Sequence, residues 1–116
     1  MTMTQIDAAR AGIITPQMEC VAQKEQRDVE WIRARVATGE IAIPANINHG
    51  SLSPEGVGAG LRTKVNVNLG ISGDLIDPEV EYEKVRIALE LGAEGIMDLS
   101  NHGKTREFRQ NLIAMS

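Results

Sequence analysis

Aromatic side chains are scarce in this chain, where Trp31, Tyr82 and Phe108 are the whole complement, 3% of the residues. Aliphatic residues and methionine must fill the rest of any core. Cysteine is scarcer still: Cys20 stands alone, which excludes a disulfide framework or a cysteine metal site within one chain. Positive charge is short as well. Twelve Lys and Arg face sixteen Asp and Glu, a net charge of -4, and no basic cluster offsets it, which argues against a nucleic-acid partner. Long apolar runs are missing too. Residues 1–12 hold none of signal-peptide length, and nothing approaches a membrane span. A soluble, cytoplasmic protein with neither nucleic-acid nor membrane partner is expected.

What is present is organised around Lys64-Val65-Asn66-Val67-Asn68-Leu69-Gly70 and its echo Gly95-Ile96-Met97-Asp98-Leu99-Ser100. Each reads as a short buried strand ending on polar residues, and a helical pattern follows each. Strand-helix-strand-helix is the opening of a parallel α/β sheet or barrel. Functional groups in such folds collect where strands end and helices begin. A complete (β/α)8 barrel takes roughly 250 residues, and 116 residues hold only two such units. The fold class expected is therefore α/β: a helical and extended N-terminal α/β region over 1–60, then over 61–116 the first two βα units of an incomplete (β/α)8 barrel.

Taken in order, residues 1–14 are ambiguous. Thr15-Pro16 starts a helix, Thr as N-cap and Pro in the first turn. Met18, Val21, Ala22, Val29, Ile32 and Val36 then make one helical stripe, with Gly39 as its stop. Residues 41–44 read as an edge strand, because Pro44 cannot donate to a central ladder. Asn46, Asn48 and His49 follow in a loop, where backbone hydrogen bonding and substrate contact are both open to them. Gly56, Gly58 and Gly60 do not fit the dinucleotide fingerprint, which needs a strand before the glycines and a helix after them. A connecting loop is expected there.

In the 64–70 strand Asn66 and Asn68 share one face, and Val65, Val67 and Leu69 the other. Buried amides need hydrogen-bond partners, so this face suits a barrel interior that meets a polar ligand, with residues 71–76 as the loop that touches it. Asp77-Pro78-Glu79 opens the crossover helix. Val80, Ile87, Ala88 and Leu91, with Lys84 in step, form its expected buried stripe; Glu79, Glu81, Glu83 and Arg86 are expected mostly outside. Thr105 caps the last helix, whose stripe is Phe108, Leu112 and Met115. Asp98 and His102 have the residue types of an acid/base pair, and equally of a structural carboxylate and a solvent-exposed imidazole.

Four stretches together resemble the thiamin pyrimidine synthase (ThiC) family: residues 9–19, 43–49, 64–70 and 97–100, in that family's order and spacing and across nearly the whole chain. The resemblance implies a radical S-adenosylmethionine enzyme, a carbon–carbon lyase of several hundred residues. It implies an N-terminal α/β region, a (β/α)8 barrel, a [4Fe-4S] cluster held by C-x-x-C-x-x-x-x-C, zinc-binding histidines and a homodimeric full-length protein. The substrate implied is 5-aminoimidazole ribotide. Carried onto matching positions, Asn68 and Met97 are substrate-binding residues; the strand-end reading, which points to Asn68 independently, adds Asn66, Asp98 and Ser100 as candidate substrate-loop residues. Met97 lies on the opposite strand face from Asp98, so its contact is expected through backbone. No catalytic residue is assigned.

The departures fall on two loops. Leu69-Gly70-Ile71-Ser72-Gly73-Asp74 stands where thiamin synthases usually read I-G-N-S after N-x-N, and Asn101-His102-Gly103-Lys104 stands where they usually carry T-G after M-D-L-S. Both look more like the paralogous 5-hydroxybenzimidazole synthases of anaerobic cobamide (cobalamin) biosynthesis, and the reading leans to that branch. Phosphomethylpyrimidine synthesis for thiamine is the alternative. The cluster cysteines and zinc histidines are expected beyond Ser116, so the chain is expected to be an N-terminal fragment that is silent by itself. Two readings of another class compete: a ribotide-binding module without turnover, and a subunit completing a split barrel. A stop codon after Ser116 with ribotide binding favours the first of these, and co-purification with a chain carrying the cluster motif favours the second.

Overall fold

The computed structural model describes residues 3–73 and 77–116. Its contacts fall into two units, one built from the chain up to Ile47 with Leu52–Thr63, the other from Asn48–Ser51 with Lys64–Ser116.

The first unit opens with helix α1, Gln5–Arg10, in the stretch that pattern alone leaves ambiguous. Thr4 caps it, its Oγ1 accepting from the Asp7 amide at 3.2 Å, which satisfies one of the free N–H groups of a helix start. Helix α2, Pro16–Glu25, starts as expected, with the Thr15 hydroxyl accepting from Met18 N. The single long helix expected to run on to Val36 is instead two. Gln26 turns left-handed at φ 54, and α3, Val29–Thr38, begins after an extended Asp28. The break has a physical reason. Residues 26–28 are polar and exposed, so interrupting the helix there sacrifices no burial. Met18, Val21, Ala22, Ile32 and Val36 still meet in one core with Ala8, Ala9, Ile41 and Ile43.

The glycine-bearing loop also holds more structure than expected. Strand β1, Ile41–Ala42, pairs antiparallel with β2, Val57–Gly58, in the register Ile41↔Gly58 and Ala42↔Val57. Gly58 is required by contact, since a Cβ there would lie 2.2 Å from the Glu40 carbonyl oxygen. Gly58→Ala is accordingly expected to lower the unfolding free energy by about 1–3 kcal/mol, the scale of a forced backbone, read as a shift in urea midpoint.

The second unit is β3, Asn66–Leu69; α4, Pro78–Glu90; β4, Gly95–Asp98; and α5, Thr105–Met115. The strands are parallel, with Asn66↔Gly95, Val67↔Ile96, Asn68↔Met97 and Leu69↔Asp98. A parallel pair joined by a helix is the mixed α/β arrangement expected. Asp77 caps α4 by accepting from Glu79 N, and Pro78 occupies the first turn. Leu69, Ile71, Val85, Phe108 and Leu112 form the core, with Tyr82, Ile96 and Met115 at its margin. Tyr82 stacks on Phe108 at 5.3 Å.

Two expectations about the helices change. The face of α4 that is buried is Glu81, Val85 and Ala88, whereas Val80, Ile87 and Leu91 are 40%, 47% and 82% exposed. Apolar residues stand on two faces of this helix, and the one holding Val85 is the one that meets Leu69 and Phe108. Thr105 lies inside α5 and Lys104 takes the cap position, without a side-chain cap bond. Among the described residues, no helix is long and apolar enough to cross a membrane.

Candidate functional site

Alternation along β3 puts Asn66 and Asn68 on one face and Val67 and Leu69 on the other. The first two are exposed, and Leu69 is buried under the helices. The parallel register then sets Met97 of β4 directly beside Asn68. Their side chains share the open face, Met97 being 49% exposed. Met97 opposes Asp98 across the sheet, and for that reason its thioether lies on Asn68's side. Gly95, opposite Asn66, leaves room for that residue's amide. Asn66 Nδ2 donates to Asn68 Oδ1 at 2.9 Å, so the Asn68 Nδ2 donors remain for another partner.

The opposite face holds the strand ends in place. Asp98 Oδ1 accepts from Ser100 N at 2.9 Å and from Ser100 Oγ at 2.5 Å, while Asp98 Oδ2 accepts from Arg109 Nε at 2.6 Å. Arg109 Nη2 also reaches the Ser100 carbonyl at 3.2 Å. Ser100 Oγ in turn accepts from Ile71 N at 2.8 Å. One residue earlier, Gly70 N donates to Glu81 Oε2 at 2.9 Å, and Lys84 Nζ donates to Glu81 Oε1 at 2.8 Å. Gly70 itself is crowded, because a Cβ there would meet Ser100 N at 2.7 Å and Leu99 C at 2.8 Å. The two strand exits therefore run against each other, clamped by side chains from α4, α5 and β4.

Burial raises the Asp98 carboxyl pKa, but hydrogen bonds from Ser100 and Arg109 outweigh it and hold the group below its ordinary value. A carboxylate whose pKa is depressed on folding adds stability above its unfolded value, about pH 4, and loses it as pH falls through the lower folded value. The stability gap between wild type and Asp98→Asn should therefore be full at neutral pH and close below about pH 4, as followed by urea midpoints. A gap that does not change with pH would contradict this assignment.

Of the residues singled out in the sequence, the structure groups Asn66, Asn68 and Met97 on the open face, and Asp98 and Ser100 in the clamp behind it. Asp98 and His102 do not form a pair, since both carboxylate oxygens are committed to Ser100 and Arg109 and His102 is exposed on its loop. His49 Nε2 lies 2.9 Å from the Ser116 main-chain oxygen, at the end of α5. Asn46 and Asn48 are exposed. In the expected substrate loop, Asp74, Leu75 and Ile76 lie outside the described residues. Ile71, one of the loop departures, is a core residue at 2% exposure. Sequence reasoning missed Glu81 and Arg109. The acidic first turn of α4 was a signal for Glu81, read there as a solvated face; nothing in the pattern marks Arg109.

For an iron–sulfur cluster the chain offers one thiol. Cys20 is half-buried on α2, with Sγ 3.9 Å from the Pro54 carbonyl oxygen, and a [4Fe-4S] cluster takes several thiolates. These residues do not fit such a group. Among the described residues, no group of three or more His, Cys, Asp or Glu is placed to hold a metal ion.

Comparison with known proteins adds the family. Residues 4–116 match the model described as the radical SAM ThiC family. Curated relatives named phosphomethylpyrimidine synthase include those of Alkaliphilus metalliredigens (strain QYMF), 66% identical over 113 residues, and Clostridioides difficile (strain 630), 64% identical over 113 residues. That of Alkaliphilus oremlandii (strain OhILAs) is 60% identical over 113 residues. Each alignment covers 97% of this chain and 26% of the relative, so the chain spans about a quarter of their length.

Proposed function

Since this chain belongs to the radical SAM ThiC family, we propose that it supplies the first two strand ends of a (β/α)8 barrel that binds 5-aminoimidazole ribotide. Within the full-length enzyme the product proposed is the phosphomethylpyrimidine of thiamine biosynthesis. The observation that carries this is the shared open face. Asn68 and Met97, both substrate positions by family resemblance, lie side by side across the parallel register at the strand ends, where such folds place their sites. Asn68 would hold polar edges of the ribotide through its amide, and Met97 would pack its thioether on the imidazole ring. Asn66 orients Asn68; Asp98 and Ser100 act behind the face and not in contact with substrate.

The choice of branch departs from the lean toward 5-hydroxybenzimidazole. The relatives carry the pyrimidine synthase name, and Ile71 fills the core behind the strand ends, so its difference from I-G-N-S is a packing difference. The cluster and S-adenosylmethionine would be held by segments of the full-length protein outside these residues, and this chain alone would show no turnover. Residues 1–60 are read as the N-terminal region and 61–116 as the barrel start. The test is anaerobic reconstitution of the protein expressed from the complete gene, supplied with ribotide and S-adenosylmethionine. Hydroxymethylpyrimidine phosphate is the product expected by mass spectrometry; 5-hydroxybenzimidazole would return the assignment to the other branch, and no turnover would favour a binding module.

A further inference from the structure

Among the described residues, Glu81 and Ser100 are the polar residues buried as a whole, at 2% and 8% exposure. They come from different elements, α4 and the end of β4, yet they take consecutive main-chain amides, Gly70 at 2.9 Å and Ile71 at 2.8 Å. Those amides begin two residues beyond Asn68. We infer that Glu81 is a positioning residue for Asn68: its carboxylate fixes where the chain leaves β3, and so where the Asn68 amide stands beside Met97. The inference rests on the ribotide reading above.

Apolar burial gives no reason for a glutamate here. The helix face it occupies is otherwise Val85 and Ala88, and a buried charge often does no better than a packed aliphatic side chain of similar volume. What the carboxylate contributes is directional. Gly70 has no side chain of its own to anchor, and the space beside it is already taken by the Leu99 and Ser100 backbone. The main chain beside it is held by Leu99 N donating to Leu69 O at 2.7 Å and Asn101 N to Ile71 O at 3.0 Å; the Gly70 amide is what α4 can grip, and a charged acceptor makes the stronger and better aimed bond. Lys84, half-exposed, neutralises the other oxygen at 2.8 Å without displacing the Gly70 bond. Asn68, by contrast, is exposed and has no core packing to hold it. Leu69 anchors the chain after it, Asn66 meets it from the side, and Glu81 fixes the exit. A binding amide on an open face needs such support to present its donors in one place.

The test uses the protein expressed from the complete gene, with Glu81→Gln and Glu81→Leu made singly and each combined with Asn68→Ala. Ribotide dissociation constants are measured by calorimetry without S-adenosylmethionine. Glu81→Leu should weaken binding on the order of tenfold, the worth of one of the hydrogen bonds that a displaced Asn68 amide would lose. Glu81→Gln keeps an acceptor for Gly70 and should stay close to wild type. The effect of Glu81→Leu should vanish when Asn68 is already Ala, as expected of a residue acting through it. A packing role alone would leave the loss equal in both backgrounds, and that result, or unchanged affinity in Glu81→Leu, overturns the inference. Should Glu81→Leu not fold, Glu81→Ser, too short to reach Gly70, is read in its place by the same criteria. Wild-type protein without ribotide affinity overturns the functional reading and this inference together; normal wild-type affinity with an indifferent Glu81→Leu overturns the inference alone.

Discussion

Replacing Asn68 by Ala in the full-length protein is expected to weaken ribotide binding roughly 30- to 160-fold, the worth of two amide hydrogen bonds at about 1–1.5 kcal/mol each. Folding should be untouched, because Asn68 is exposed and the side chain bonded to it is that of the exposed Asn66. Affinity would then fall while the melting temperature holds, a separation that a structural asparagine could not produce. Asn68→Asp is the sharper form of the test. It keeps size and an acceptor but exchanges the Nδ2 donors for a second oxygen, so it should bind as poorly as Ala if donation to the ligand is what matters. Met97→Leu should be mild, since it preserves an apolar surface of similar volume. Wild-type affinity in Asn68→Ala would remove the residue from the site.

Phe108→Ala should produce the largest loss of stability, about 3–5 kcal/mol by the usual cost of emptying a buried aromatic position. Phe108 is 2% exposed and stacks on Tyr82. It is the one aromatic among the five buried residues of the second core, the others being Leu69, Ile71, Val85 and Leu112. A core so small has little reserve. In the 116-residue chain the substitution should therefore unfold the second unit. The first core, with Met18, Val21 and Ile32, contains none of these side chains. Methyl NMR resolves the outcomes: collapse of the Val85 and Leu112 signals with Val21 and Ile32 retained is expected. A protein that keeps all four dispersed would show that Phe108 is replaceable.

The parts of this fold legible from sequence were those governed by local chemistry. Alternating Val and Asn marked β3, Asp77-Pro78 marked the start of α4, and the strand-helix-strand-helix order followed. The break between α2 and α3 was hidden because Met18, Val21, Ile32 and Val36 stay in helical phase across it; only Asp28, a good residue before a helix, hinted at a new start. The buried face of α4 was misread for a different reason. Val80, Ile87 and Leu91 outnumber Val85 in hydrophobic weight, and choosing between two apolar faces needs the position of Leu69 and Phe108, which is tertiary information. Glu81 was hidden by the same limit, since a carboxylate is placed inside only by a partner as specific as the Gly70 amide. The pairing of Asn68 with Met97 depended on strand register, which neither strand carries by itself. The clamp made by Asp98, Ser100 and Arg109 joins residues from a strand end and the middle of a helix, and no spacing rule connects them.

The central claim is that the open face of β3 and β4 is where the ribotide sits. A crystal structure of the protein from the complete gene, grown anaerobically with 5-aminoimidazole ribotide, tests it most directly. The expected result is ribotide density against the β3–β4 face, with Asn68 Nδ2 within hydrogen-bond distance of a ligand polar atom and the Met97 side chain against the imidazole. Ribotide bound elsewhere, with Asn68 and Met97 facing only protein or solvent, would contradict it.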